Sequence, residues 1–167
     1  MRHNYLCLFI FIILFSCNRT KQSDYNPPIN FTRALNDSSV TIDKLLTNQF
    51  TIIHYINIDC SVCISELQII DSLMQYYYDI GCLGGIIVSG QRVELFEYYL
   101  KPMDVQTPIF WDPNYDHFNL NNLTYDKKKQ TLLVDQNRHI LLRGSIIPRK
   151  RTKSFYKKTQ QIIKKNP

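Results

Sequence analysis

The spacing of apolar and polar positions changes period several times along the chain. Residues 50–58, Phe-Thr-Ile-Ile-His-Tyr-Ile-Asn-Ile, form an almost continuous apolar run. A strand buried on both faces needs that pattern. Residues 64–79 then adopt helical spacing. Ile64, Leu67, Ile70, Leu73, Met74 and Tyr77 share one face, and Glu66, Gln68, Asp71 and Gln75 occupy much of the rest. Residues 83–89 predict a short buried strand bounded by glycines. Residues 91–100 predict a helix with Val93, Phe96 and either Tyr99 or Leu100 inward, stopped at Lys101-Pro102. A short strand follows within 107–113. Residues 114–125 are asparagine-rich and read as irregular, with one turn of helix near His117-Phe118. Two apolar runs, 131–135 and 139–143, flank Gln136-Asn137-Arg138 and predict a hairpin, with Asn137 suited to positive φ. In residues 151–165 Phe155, Thr159, Ile162 and Ile163 predict a docked terminal helix with a solvated lysine face. Residues 31–49 leave two readings open: a short strand at Val40-Thr41-Ile42, or a short helix on Ile42, Leu45 and Leu46.

Composition narrows this picture. A length of 167 residues suits one domain, and 44% hydrophobic with 20% charged residues is ordinary for a globular chain. The formal charge is +6, but eight of the twenty basic residues lie between 149 and 165. That local excess accompanies no nucleic-acid reading motif, so nucleic acid is not expected as a partner. Gly84-Gly85 lacks phosphate-loop spacing.

The N-terminus changes the setting. Arg2 precedes an apolar run over residues 5–15. A bilayer span needs about 20 apolar residues, so a signal peptide fits better. Leu14-Phe15-Ser16-Cys17 resembles a bacterial lipobox. The resemblance implies loss of residues 1–16 and lipidation of Cys17. Losing Arg2 lowers the formal charge from +6 to +5. Acyl chains contribute about 0.8 kcal/mol per buried methylene, enough for stable anchoring when several are present. Residues 17–37, with Pro27-Pro28, then read as a tether, and 38–167 as the domain. The expected location is the cell envelope, facing the periplasm or exterior, where disulfides persist.

Cys60-Ser61-Val62-Cys63 joins the first strand to the first long helix. A cysteine at a helix start meets unpaired N–H groups and the positive end of the dipole, which favour thiolate. Cys60 is the expected nucleophile, and Cys63, one turn later, the resolving thiol. A structural disulfide is the alternative. Zinc would need two further ligands, and His54 and His117 are not at ligand spacing, so no metal is expected. His54 reads as a packed histidine satisfied by a neighbour, and Cys82 as a small core residue.

The order β-α-β-α-β-β-α with C-x-x-C after the first strand resembles the thioredoxin-like superfamily, over about residues 38–165. Pro108-Ile-Phe-Trp-Asp-Pro113 resembles the Pro-x-x-x-Asp-Pro stretch of its redoxin and membrane-anchored thiol–disulfide oxidoreductase branch. Thr131-Leu-Leu-Val-Asp135 resembles that branch's Thr-Phe-Leu-Ile-Asp strand. The resemblance implies a three-layer α/β/α fold around a mixed sheet. It further implies a lipid-anchored, extracytoplasmic thiol–disulfide oxidoreductase that uses Cys60 and Cys63 without a cofactor. Its partners would be protein disulfide or dithiol clients, and a monomer is expected.

Three departures modify that expectation. Asp59 stands where the family has tryptophan, and its charge disfavours a neighbouring thiolate. Ser61-Val62 lacks the frequent proline. Lys129 occupies the family's cis-proline position, where a trans bond is expected, and its charge could partly offset Asp59. The competing functional reading is a non-catalytic thioredoxin-like accessory or binding lipoprotein. A copper-delivery protein, with His117 as its distal ligand, ranks below that. A peroxidase would place Thr or Ser where Asn57 stands.

Overall fold

The computed structural model describes residues 23–27, 33–59, 64–147 and 155–166. In chain order its elements are α1 (Ile42–Leu46), β1 (Phe50–Asn57), α2 (Leu67–Tyr78), β2 (Leu83–Ser89), α3 (Val93–Leu100), β3 (Ile109–Trp111), α4 (Asp116–Leu120), β4 (Thr131–Asp135), β5 (Ile140–Gly144) and α5 (Phe155–Lys165). Single turns of 3-10 helix occur at Lys101–Met103 and Lys127–Lys129.

The apolar run of β1 is central because it can bury both faces. The sheet order is β3-β2-β1-β4-β5. β1 pairs parallel with β2 and antiparallel with β4; β2–β3 is parallel and β4–β5 antiparallel. Alternate β1 residues point to opposite sides. Phe50, Ile52 and Ile56 join Leu67, Ile70, Met74 and Tyr77 of α2, Phe96 of α3 and Phe155 of α5. Ile53 and Tyr55 join α1, Phe110, Leu123, Leu132 and Tyr25. Helices thus cover both faces of a mixed sheet, the three-layer arrangement expected.

Several local readings resolve. Ile42–Leu46 form the helix: Thr41 caps α1, accepting from the Lys44 N–H at 3.2 Å. In α3, Phe96 is buried and Leu100 half-buried while Tyr99 is exposed, so Leu100 is the inward residue. The hairpin turn corrects one expectation. Positive φ falls on Arg138 (66°), not on Asn137. Asp135 carbonyl accepts from Arg138 N–H at 2.9 Å, and Asp135 Oδ1 accepts from the N–H groups of Asn137 and His139 at 2.9 and 2.8 Å. A type I turn of this kind places the left-handed residue after its two central positions, where the sequence has Arg138.

The segment read as a tether also differs. Residues 23–27 lie on the β5 edge, with Asp24 bridging His139 and Tyr25 buried. Buried side-chain partners outweigh the polar, proline-flanked composition that suggested a free linker.

Candidate active site

The C-terminal ends of β1, β2 and β3 converge at one end of the sheet. β1 stays bonded to β2 through the Ile58 N–H, which donates to the Ser89 carbonyl at 3.0 Å. Asn57 Oδ1 then accepts from the Asp59 N–H at 2.9 Å and turns the chain out of the strand. Gly90 permits this close approach, since a Cβ there would meet Ile58 Cγ1 at 2.5 Å. The chain resumes in helical form at Ile64 and runs into α2. Cys60, Ser61, Val62 and Cys63 occupy the interval and lie outside the described residues, as does Cys17. Cys82 is free and fully buried, and burial pushes its thiol up to about 12.

Both flanks of the cysteine tetrad line a cleft of about 370 Å³, together with Gln91, Arg92 and Phe96. Asp59 faces this cleft. Its carboxylate accepts from the Tyr115 hydroxyl and lies 3.5 Å from the Gln91 N–H. The bond to Asp59 pushes the Tyr115 phenol up to about 12, with burial adding to it. Tyr115 holds φ 58°, a costly conformation for an aromatic residue. Nothing in the sequence signals a contact between residues 56 positions apart at a non-glycine left-handed turn.

Asp112 explains how that turn is held. It is buried and accepts from Ser89 Oγ at 3.1 Å and from the Asp116 and His117 N–H groups at 3.0 and 2.9 Å. Burial raises its pKa, and the three bonds oppose that shift. Asp112 therefore caps α4 from four residues upstream and ties it to β2. This gives the Asp of the Pro108–Pro113 stretch a structural role.

Lys129 is exposed in the turn before β4, and the peptide bond preceding it is trans. The lysine that reaches the start of α2 is Lys127. Its Nζ lies 2.8 Å from Glu66 Oε2, three residues after Cys63. The sequence does not signal this pairing, because three consecutive lysines do not indicate which one turns inward.

The two buried histidines stand on opposite faces of the sheet. His54 Nδ1 is 2.8 Å from Thr131 Oγ1, which itself accepts from the Ile146 N–H at 2.9 Å. The Thr131 hydroxyl is thus left to donate to His54, as expected of a packed histidine. His117 stacks on Tyr55 with ring centroids 5.8 Å apart. Burial holds both imidazoles down to about 3. Among the described residues no group of three His, Cys, Asp or Glu side chains can hold a metal ion. Among them, too, no helix is long and apolar enough to cross a membrane.

Sheet order, strand directions and helix placement define a thioredoxin-like fold. No protein-family model matches the chain, and no curated protein matches it by sequence. Its likeness is to solved structures. The thioredoxin domain of a thiol-disulfide oxidoreductase from Bacteroides vulgatus superposes with a TM-score of 0.59 at 15% identity, covering 85% of this chain and 96% of that one. A thiol:disulfide interchange protein from a Bacteroides species gives 0.58 at 14%, covering 85% and 90%. StoA from Bacillus subtilis gives 0.56 at 16%, covering 72% and 91%.

Proposed function

We propose that this chain is a thiol–disulfide oxidoreductase anchored by a lipidated Cys17 outside the cytoplasm, with Cys60 and Cys63 as its redox pair. The observation that carries the reading is where the C-x-x-C falls. In sequence its four residues join Asp59, just past β1, to Ile64, where the chain turns helical towards α2, and both of these flanking residues line a cleft on a thioredoxin-like sheet.

Cys60 thiolate attacks one sulfur of a client disulfide. A mixed disulfide forms and the client's other sulfur leaves as thiolate. Cys63 thiolate then attacks Cys60, releasing the client's second thiolate. The client gains two electrons and the protein becomes the Cys60–Cys63 disulfide, to be reduced again by an external dithiol. Asp59 works against the Cys60 thiolate, while Tyr115 withdraws charge from Asp59 through its hydrogen bond.

The deciding experiment is a redox titration of the detergent-solubilised chain, read by alkylation and mass. Cys60 and Cys63 should gain and lose labels together as one two-electron couple, while buried Cys82 stays unlabelled under native conditions. A pair that will not titrate as a couple, or that resists strong dithiol, removes the enzymatic reading. Cys17→Ser should move the protein from the membrane to the soluble fraction. Tyr115→Phe should raise the pH midpoint of Cys60 alkylation by about half a unit to one unit, because the Asp59 charge is no longer spread into a donor.

A further inference from the structure

Helix α4 is gripped at both ends. Asp112 caps its N-terminal end, accepting from the Asp116 and His117 N–H groups at 3.0 and 2.9 Å. The docked residues 25–26 hold the other end. The Asn26 N–H donates to Asn121 Oδ1 and the Asn121 side-chain amide donates back to the Asn26 carbonyl, both at 2.9 Å. That amide also donates to the His117 carbonyl at 3.0 Å. The Tyr25 hydroxyl lies 3.2 Å from His117 Nδ1, and Tyr25 is 1% exposed. The backbone of residues 23–24 pairs level with Phe50 and Thr51, where β1 begins. Tyr25 and Asn26 thus carry a contact from that edge of the sheet to α4.

We propose that Tyr25, Asn26 and Asn121 are positioning residues for the cysteine site: the docking of residues 25–26 on α4 holds Tyr115 against Asp59, and so limits the opposition of Asp59 to a Cys60 thiolate. The proposal rests on Cys60 being the attacking thiol. A five-residue helix has little stability of its own, so the bonds at its two ends decide where its first residues stand. Tyr115 precedes α4 at φ 58°, a conformation that persists only where the surroundings over-determine it. From that position its hydroxyl donates to Asp59, the residue before Cys60. Freed at its far end, α4 shifts and Tyr115 relaxes, taking its hydroxyl away from Asp59.

A second contact runs the same way. His117 and Phe118 of α4 pack on Tyr55, with ring centroids 5.8 and 5.4 Å away. Tyr55 stands two residues before Asn57, whose side chain accepts from the Asp59 N–H and turns the chain out of β1. Helix α4 therefore bears on both partners of the Tyr115–Asp59 bond. The described charges flanking the tetrad are Asp59 and Arg92 in the cleft and the Glu66–Lys127 pair before α2. Of these, Asp59 is the one that Tyr115 bonds, so a movement of α4 acts on the thiol through that carboxylate. The segment whose composition suggests a linker is part of the support of the site.

The test reads the pH dependence of Cys60 alkylation in the reduced, full-length chain in detergent, with Cys60 and Cys63 resolved by peptide mass. Asn121→Ala removes both bonds to Asn26 and should raise the Cys60 midpoint by about half a unit, in the same direction as Tyr115→Phe. In a Tyr115→Phe chain the same replacement should add nothing, because the bond it acts through is already gone. A residue that only supports the fold would lower the urea midpoint and leave the Cys60 midpoint where it was. Protection of buried Cys82 from label checks that each variant is folded. If Cys82 takes label in Asn121→Ala, Tyr25→Phe replaces it; that variant keeps the ring and should give a smaller rise in the same direction. A folded variant with the wild-type midpoint overturns the proposal, as does a full shift that persists in the Tyr115→Phe chain. The thiol midpoint is readable whether or not the pair cycles, which separates the two failures. A chain that titrates as a redox couple with no dependence on Asn121 loses only the positioning. One that shows the dependence but does not titrate as a couple loses only the enzymatic reading.

Discussion

The two faces of the sheet are held by different means. Under α2, α3 and α5 the buried groups are mostly carbon; His54 and Thr131 form a polar pair, and Thr159 of α5 is buried with its hydroxyl unpartnered among the described residues. The opposite face carries two five-residue helices, α1 and α4, and the docked residues 23–27. It buries Tyr25, Tyr55, Ser89, Asp112, His117 and Asn121. Helices of 8 to 12 residues present enough apolar area to fix themselves. Five-residue helices do not, so directional bonds from a few polar atoms position them instead. The first face tolerates exchange of shape for shape, whereas the second depends on particular atoms.

The largest test lies on the dry face. Phe96 is fully buried and stacks on Trp111 with ring centroids 6.2 Å apart. Phe96→Ala should cost about 3–5 kcal/mol in urea unfolding, while Ile70→Leu should cost under about 1.5 kcal/mol. A cost below about 1 kcal/mol for Phe96→Ala would show that this face is not the close-packed one. On the other face the sensitive atom is a carboxylate. Asp112→Ala strands the Asp116 and His117 N–H groups and removes the acceptor of the Ser89 hydroxyl, and should cost about 2–3 kcal/mol. Hydrogen exchange should localise the loss to α4, with Asp112→Asn recovering part of it. An undiminished exchange pattern in α4 would break the claim that polar atoms position the short helices.

The same division decided what could be read in the sequence. The strands and long helices of the dry face follow from runs and periodicity: residues 83–89 emerge as β2, and Ile70, Met74 and Tyr77 face inward as their spacing predicts. On the polar face, the docking of residues 23–27 was hidden because its anchors are single side chains, Tyr25 and Asn121, nearly a hundred residues apart. The sequence marks Asp59 as a perturbing neighbour of Cys60 but carries no sign of its partner Tyr115. Periodicity reports which face of an element is apolar, and says nothing about which hydroxyl meets which carboxylate across the fold.

Acid should probe both faces together, because each contains one buried neutral histidine. Burial holds His54 and His117 near 3, against 6.5 for an unperturbed imidazole. Between those values the unfolded chain binds a proton at each site that the native chain does not. Their contribution is therefore complete above pH 6.5 and falls as pH drops, by about 1.4 kcal/mol per pH unit for each histidine. Asp112 acts in the opposite sense, since its raised pKa lets the native state take up a proton first. Urea unfolding from pH 7 to pH 5 should show the combined slope. His54→Gln and His117→Gln should each remove about half of the histidine part. A slope unchanged by either replacement would mean that the imidazole is not desolvated in the native state.

The smallest effect discriminates most sharply between the faces. Tyr25 hydroxyl lies 3.2 Å from His117 Nδ1, while His117 Nε2 is buried without a partner among the described residues. Tyr25→Phe keeps the ring and its volume but removes that bond, and should cost about 1 kcal/mol. Combining it with His117→Phe replaces both partners by apolar rings and also removes the unpartnered Nε2. Removing both ends of a buried polar pair is often nearly neutral. The double variant should therefore be at least as stable as Tyr25→Phe alone, with a coupling of about 1 kcal/mol between the sites in a double-mutant cycle. Additive losses would mean that ring packing, not the hydroxyl–imidazole bond, holds residues 23–27 in place. The two faces would then differ in composition but not in the way they are held.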